Sequence, residues 1–329
     1  GWKVVWLGAR TGMEATIVPK RGYDMAWIRF SGLRGKGLVR AALLPTNLLI
    51  AFVQSARAIL AHRPDVVLGM GGYVAFPGGM MAAFLGRPLA IHEQNSVAGL
   101  TNKVLAGVAD RVLSGFPNVF GAKRRAAWTG NPVRNDIAGI TEPVSRYAGR
   151  SGPLKLLVIG GSLGAQALNE VVPQALAQMP AAARPLVTHQ AGAAHIETLK
   201  ANYARAGVAA DARAFIDDMA AQYASSDLVI CRAGASTIAE LAAAGIPAVL
   251  VPFPHAVDDH QTANARFLAD RGAAVLVPQK ELTAARLAAL LGTLDRARLV
   301  TMAQAARGVG KPDATASVAN VCMELANAA

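Results

Sequence analysis

The side chains best placed to do chemistry gather in residues 231–264, CRAGASTIAELAAAGIPAVLVPFPHAVDDHQTAN. A buried strand, Leu228 to Cys231, is predicted to run into the small residues 232–236 and then into a helix carrying Glu240 in its first turn. Gly245 and Pro247 end that helix. A second strand from Ala248 then opens onto His255, Asp258, His260, Gln261 and Asn264. Two consecutive strand ends thus aim polar groups at one crevice, where open α/β sheets bind ligands. A carboxylate at Glu240 could accept both hydroxyls of a ribose diol, or simply complement the helix dipole as a first-turn glutamate. Gln261 and Asn264 either read sugar hydroxyls or cap a helix start. Cys231 reads as a small buried hydrophobe rather than a nucleophile.

A phosphate cradle precedes this stretch. In LKLLVIGGSLGAQALNE, residues 154–170, an apolar strand meets Gly160, Gly161, Ser162, Leu163 and Gly164, and a helix starts at once. Glycines let backbone N–H groups approach an anion, and the helix start adds partial positive charge. The spacing is not G-x-G-x-x-G, and His189-Gln190 stand where a dinucleotide fold would end its next strand in an acid, which disfavours NAD binding. Asn169, one turn further on, reads as a surface amide. Phe215 to Met219 joins a strand to a helix, so Ile216 could offer its backbone to a base edge. Arg134, in Gly130–Arg134, is a cation able to reach a diphosphate across a cleft. Among the six His and two Cys no zinc spacing occurs, and there is no Asp-x-Asp pair, so no metal and no cofactor is implied.

The first half carries GMGGYVAFPGG (69–79) and HEQNSVAGLTNK (92–103), both strand ends opening onto polar or glycine-rich text. The tetrad His92 to Asn95 would cost desolvation energy as core filling, which favours a cleft, although His92 also reads as a structural histidine.

These groups need elements to hold them. Strand patterns recur at Lys3–Leu7, Asp65–Leu68, Leu89–His92 and Arg111–Ser114, and again at Leu154–Ile159, Pro185–Gln190, Ala212–Phe215, Leu228–Cys231, Ala248–Val251 and Ala274–Val277. Helical or glycine-rich text separates them, the mark of parallel βαβ units. With 329 residues the fold class expected is α/β: two doubly wound, Rossmann-like parallel-sheet domains facing across a cleft. The predicted boundaries are a first domain over 1–135, a linker over 136–152, and a second domain over 153–312. Residues 313–329 form a carboxy-terminal helix that completes the first domain.

Net charge is +12, and the first half holds all of it: residues 1–135 contain 17 Lys+Arg against 5 Asp+Glu, and the remainder 16 of each. That asymmetry suggests an anionic partner such as a membrane surface, a phosphorylated lipid or a nucleic acid, or else a generally basic surface. Sparse aromatics with no stacking platform disfavour nucleic acid. Residues 31–60 interleave Arg34, Lys36 and Arg40 with Leu38, Leu43, Leu44, Leu48, Leu49 and Phe52, which reads as an interfacial membrane contact or as an amphipathic core helix with a basic end. No apolar run reaches the roughly 18 residues of a spanning helix. Two cysteines are too few for a disulfide framework, which makes a reducing cytoplasm the default.

FSGLRGKG (30–37), PDVVLGMGGYV, HEQN…AGLTNK, GNPVR, GGSLGA, FIDDM, the Ser-Thr…Glu helix and HQTANA follow one another along nearly the whole chain. In that order they resemble the bacterial GT-B N-acetylglucosaminyltransferases of peptidoglycan synthesis, which convert lipid I to lipid II. The resemblance implies a metal-independent, inverting transfer of N-acetylglucosamine from UDP-GlcNAc to the muramoyl 4-hydroxyl of lipid I, an undecaprenyl-diphosphate glycolipid. It also implies a peripheral enzyme on the cytoplasmic face of the inner membrane, with an anionic lipid surface and other cell-wall and division proteins as partners. By position, Asn95, Arg134, Ser162, Ile216, Glu240, Gln261 and Asn264 would bind UDP-GlcNAc, and Tyr73 and Lys103 would face the acceptor. The family opens with a further strand and a GGTGGH loop whose His is the favoured base. Neither stands in this sequence, so the catalytic base is unassigned and a truncated record, or an inactive scaffold, is expected. Leu163 replaces a Gln of some relatives. Within the same fold, another glycolipid transferase or a UDP-sugar epimerase is the alternative.

Overall fold

The computed structural model describes residues 2–30, 44–121, 125–161 and 164–328. Two compact units emerge: residues 1–129 with 316–329, and residues 130–315.

In the first unit, β1 (Val5–Ala9) pairs in parallel with β2 (Asp24–Ile28), joined through α1 (Glu14–Lys20). A second parallel sheet runs β3 (Val67–Gly69), β4 (Leu89–Glu93), β5 (Arg111–Ser114) and β6 (Ala127–Trp128). Sequence reading finds neither β2, whose DMAWI alternates weakly, nor the two-residue β6. β1 lies two residues beyond the expected Lys3–Leu7.

Helix α2 (Leu44–His62) turns Ala51, Ser55 and Ile59 inward at four-residue spacing and packs on α3 (Gly72–Phe84). Ile59 joins Ala82, Leu89, Ile91 and Leu105 in the core, Leu105 arriving from α4 (Leu100–Leu105). By length and composition α2 could cross a membrane, contrary to the sequence expectation that no such run exists. Pro45 and Asn47, which read as interruptions of the apolar run, lie within this helix. The basic residues 34–40 lie outside the described residues.

Residues 136–152, expected as a linker, carry α5 (Asn135–Ala138) and α6 (Pro143–Tyr147) within the second unit. That unit is built on one parallel sheet in the order β12-β11-β10-β7-β8-β9. The strands are β7 (Lys155–Ile159), β8 (Leu186–Gln190), β9 (Asp211–Arg213), β10 (Leu228–Cys231), β11 (Ala248–Leu250) and β12 (Ala274–Leu276). β7, β10 and β11 are almost continuously apolar because helices cover both faces. From β7 the chain winds outward through β8 and β9, then returns to pair β10 on the other side of β7. The switch point therefore falls between β7 and β10, and a crevice must open at their carboxyl ends.

The helices are α7 (Gln166–Gln178), α8 (Ile196–Ala206), α9 (Met219–Ser225), α10 (Ala235–Ala244), α11 (His260–Ala269), α12 (Ala284–Gly292) and α13 (Arg296–Val309). A last helix, α14 (Ala314–Asn327), falls mostly within the first unit. Buried Asp227 ties α6 to the starts of the central strands β7 and β10: Arg150 contacts its Oδ1, the Lys155 N–H donates to its Oδ2 at 2.8 Å, and the Tyr147 hydroxyl donates to its backbone carbonyl.

Candidate functional site

At the switch point lies a cavity of about 810 Å³, within the range of small-molecule sites. Its floor is the end of β7 and of β10, Ile159 and Cys231, and its walls are the turns and helix starts that follow them.

The β7 turn supplies Gly160, Gly161 and Gly164 and delivers the chain into α7. At Gly160 and Gly164 a side chain has no room. A Cβ on Gly160 would sit 2.2 Å from the Ala165 nitrogen, and one on Gly164 only 1.9 Å from the Ala191 carbonyl oxygen. Gly164 also has φ +76°, in the left-handed region that favours glycine. The N-cap of α7, Ala165, makes no side-chain cap bond, and Gly164, Ala165, Gln166 and Ala167 line the cavity, so the start of this helix borders it. Ser162 and Leu163 lie outside the described residues.

What keeps this turn in place is a buried chain of hydrogen bonds behind it. Asn169 on α7 donates its amide to the Ala191 carbonyl at 3.2 Å, which leaves its Oδ1 to accept from His189 Nε2 at 3.1 Å. His189 Nδ1 then accepts from the Tyr203 hydroxyl at 2.9 Å. Asn169 is thus no surface amide: it is buried, and its network fixes the carbonyl against which Gly164 rests. Burial drives the His189 imidazole down to about 3, so it is neutral.

The β10 turn leads to a second uncapped helix start. Gly234 is the N-cap of α10 and makes no side-chain cap bond, and Gly234, Thr237 and Glu240 all line the cavity. No acidic residue stands in the first turn of α10; Glu240 lies one turn further in. The dipole explanation for Glu240 therefore fails, because that effect decays within the first turn. Its carboxylate is held from two sides: Tyr223 donates to Oε2 at 3.2 Å, and Arg134 Nη2 lies 3.4 Å from Oε1. Burial raises the Glu240 pKa, opposed mainly by Arg134. At its far end α10 closes on left-handed Gly245, and Arg146 donates to the Ala244 and Gly245 carbonyls.

Gln261, on α11, accepts on Oε1 from the Phe253 N–H at 2.9 Å and the Ala233 N–H at 3.2 Å. It ties the β10 and β11 turns together rather than capping its own helix. With the carbonyl so engaged, its amide NH2 is the end oriented for a ligand acceptor. Asn264 is fully buried behind this wall and donates to the Ala233 carbonyl at 3.2 Å; it is not among the residues lining the cavity. Ile216 and Phe215 both line it, Ile216 buried and Phe215 exposed. Asp218, two residues beyond Ile216, caps α9 by accepting from the Ala221 N–H at 2.8 Å.

Arg232, Tyr223 and Gln190 are among the cavity residues that sequence reasoning did not assign to the site. Arg232 donates to the Val251 and Pro252 carbonyls and to Gln279 Oε1, with its guanidinium over the Phe253 ring. A charged residue directly after an apolar strand was the available signal. Tyr223 and Gln190 carried none beyond their position at the end of a helix or strand. Cys231 is buried, and its thiol is pushed well above the ordinary range by desolvation, as suits a packing residue.

In the first unit, Glu93 is buried and organises the segment after β4. Its Oε1 accepts from the Asn95 N–H at 3.0 Å, and its Oε2 from Gly99 N–H at 3.0 Å and Asn102 Nδ2 at 2.8 Å. His92 is fully enclosed, as a structural histidine would be. Asn95 is half-buried beside Glu93; Tyr73 opens α3 with its ring 6.0 Å from that of Phe30, and Lys103 is exposed in the last turn of α4. Among the described residues, no group of three or more His, Cys, Asp and Glu is placed to hold a metal ion.

Residues 1–114 match the glycosyltransferase family 28 N-terminal domain and residues 155–318 its C-terminal domain. A UDP-N-acetylglucosamine–N-acetylmuramyl-(pentapeptide) pyrophosphoryl-undecaprenol N-acetylglucosamine transferase of Cupriavidus metallidurans is 64% identical over 99% of this chain and 91% of its own length. A protein of the same name from Azoarcus sp. is also 64% identical with the same coverage. The crystal structure of Acinetobacter baumannii MurG superposes with a TM-score of 0.86 at 40% identity, covering 98% of this chain and 91% of that one.

Proposed function

Because the chain belongs to the family 28 glycosyltransferases named UDP-N-acetylglucosamine–N-acetylmuramyl-(pentapeptide) pyrophosphoryl-undecaprenol N-acetylglucosamine transferases, we propose that it moves N-acetylglucosamine from UDP-GlcNAc to lipid I, forming lipid II for peptidoglycan synthesis. The fold is the two-domain GT-B α/β fold.

The cavity of the second unit is the donor site. The observation that carries this assignment is the meeting of two uncapped helix starts, α7 and α10, with Arg134, Arg232 and the Glu240 carboxylate around one space. Anionic phosphates suit the helix starts and the cations, and a ribose diol suits the carboxylate. The diphosphate lies against Gly160–Ala165, the ribose on Glu240, the base near Ile216, and the sugar toward Gln261. The acceptor 4-hydroxyl attacks the anomeric carbon as a base removes its proton. The bond to the UDP oxygen breaks, and UDP carries away the electron pair. Helix starts and Arg134 stabilise the charge growing on that diphosphate, with no need for a divalent metal. Tyr73 and Lys103 belong to the acceptor side.

Peripheral membrane association follows from a lipid substrate, at the cytoplasmic face where a nucleotide sugar is available. The exposed Phe84, and Leu100, Val104 and Val108 at four-residue spacing beside Lys103, support contact with an anionic lipid surface. The test is transfer of labelled N-acetylglucosamine from UDP-GlcNAc to a lipid I analogue, with an acceptor-free control. A labelled lipid product supports the reading. Turnover of UDP-GlcNAc to an epimer without acceptor sinks it.

A further inference from the structure

We infer that Tyr223 is a positioning residue for the donor: its buried hydroxyl fixes the Glu240 carboxylate so that Oε1 is presented to the ribose. The inference rests on the donor-site reading above and deepens it.

Tyr223 stands on α9, is 1% exposed, and donates to Glu240 Oε2 at 3.2 Å. Glu240 projects from α10, and its other oxygen meets Arg134, a half-exposed side chain that can move. The two partners are unequal. Tyr223 is locked in place by packing, whereas Arg134 is free to follow an arriving diphosphate. When it does, Oε1 opens to a ligand while Oε2 stays anchored, and the carboxylate keeps its plane. A buried carboxylate stripped of both donors would rotate and resist ionisation. The groups facing Glu240 are Arg134 and Asp136 from the segment around α5, Tyr223 from α9 and Cys231 at the end of β10. Of these, only Arg134 and Tyr223 hydrogen-bond the carboxylate. Burial and the nearby Glu240 raise the Tyr223 hydroxyl far above its ordinary range, so it remains protonated and can only donate here.

Phenylalanine fills the same volume, so Tyr223→Phe removes the hydroxyl alone. Calorimetric titration of UDP into the wild-type chain comes first; if UDP does not bind, the donor-site reading fails and the inference falls with it. With binding established, Tyr223→Phe should weaken UDP about tenfold, the scale of a hydrogen bond to a charged group. It should raise donor KM by a similar factor while kcat stays within about twofold, as expected for binding lost equally from ground and transition states. The acid limb of UDP affinity should also move to higher pH, because Glu240 loses a donor that favours its charged form. In a Glu240→Gln background the same change should alter affinity less than about twofold. Equal losses in both backgrounds, or a lowered melting temperature with unchanged affinity and pH profile, would assign Tyr223 to packing and overturn the inference.

Discussion

Acidification should loosen the second unit through His189. The imidazole is fully enclosed and sits between Tyr203 and Asn169, with no acidic partner among the described residues to favour its charged form. Its folded value of about 3 lies below the roughly 6.5 of an unfolded chain. A depressed value means the unfolded state binds the proton more readily. The stabilisation is therefore complete above pH 6.5 and drains away as the pH falls toward 3. By linkage the loss is about 2 kcal/mol at pH 5 and about 3 kcal/mol at pH 4. His189→Gln keeps a donor and an acceptor but cannot titrate, so it isolates this contribution from the other histidines and the carboxylates. Urea unfolding at pH 7.5 and pH 5.0, followed by circular dichroism, gives the pH dependence of each protein. Hydrogen exchange on the peptide 186–191 localises it to β8. The wild type should lose about 2 kcal/mol more than the variant over that interval. Parallel losses in the two proteins would refute a buried neutral histidine as the cause.

Gly164→Ala should abolish measurable UDP binding and destabilise the second unit by about 3 kcal/mol or more, since the added Cβ meets the Ala191 carbonyl at 1.9 Å in a left-handed backbone; calorimetry and urea unfolding read both. Arg150→Ala leaves the buried Asp227 carboxylate short of its nearest cation and should cost about 3–5 kcal/mol in urea unfolding, discounted toward the lower figure because Arg296 lies 3.5 Å away. Transfer activity in excess EDTA should equal that in magnesium within about twofold if helix starts and arginines alone carry the leaving diphosphate; a tenfold loss would require a metal.

The strands of the second unit were legible because β7, β10 and β11 are apolar runs, β7 and β11 bounded by glycine or proline and β10 by Asp227 and Arg232, a signal that needs no partner to read. Asp24–Ile28 was not, because half-exposed pairing with β1 alone demands no strong pattern. In the site, Arg134, Ile216, Glu240 and Gln261 could be picked out by their places after strands and at helix starts, and all four line one cavity. What sequence could not supply was direction. Gln261 faces the backbone of two turns with one end, and Asn264, one helical turn on, stands behind the wall. Tyr223 and Arg232 act through contacts with residues 17 and 19 positions away, a separation that no local pattern encodes. Asn169 looked like a surface amide because its partners, His189 and Ala191, come from the neighbouring strand and the turn after it.

A crystal structure of the chain with UDP-GlcNAc would test the donor-site assignment most directly. The diphosphate is expected against Gly160–Ala165, with the ribose hydroxyls within about 3 Å of the Glu240 carboxylate. Nucleotide bound outside this cavity, or within it but with Glu240 still paired to Arg134 and untouched by ribose, would contradict it.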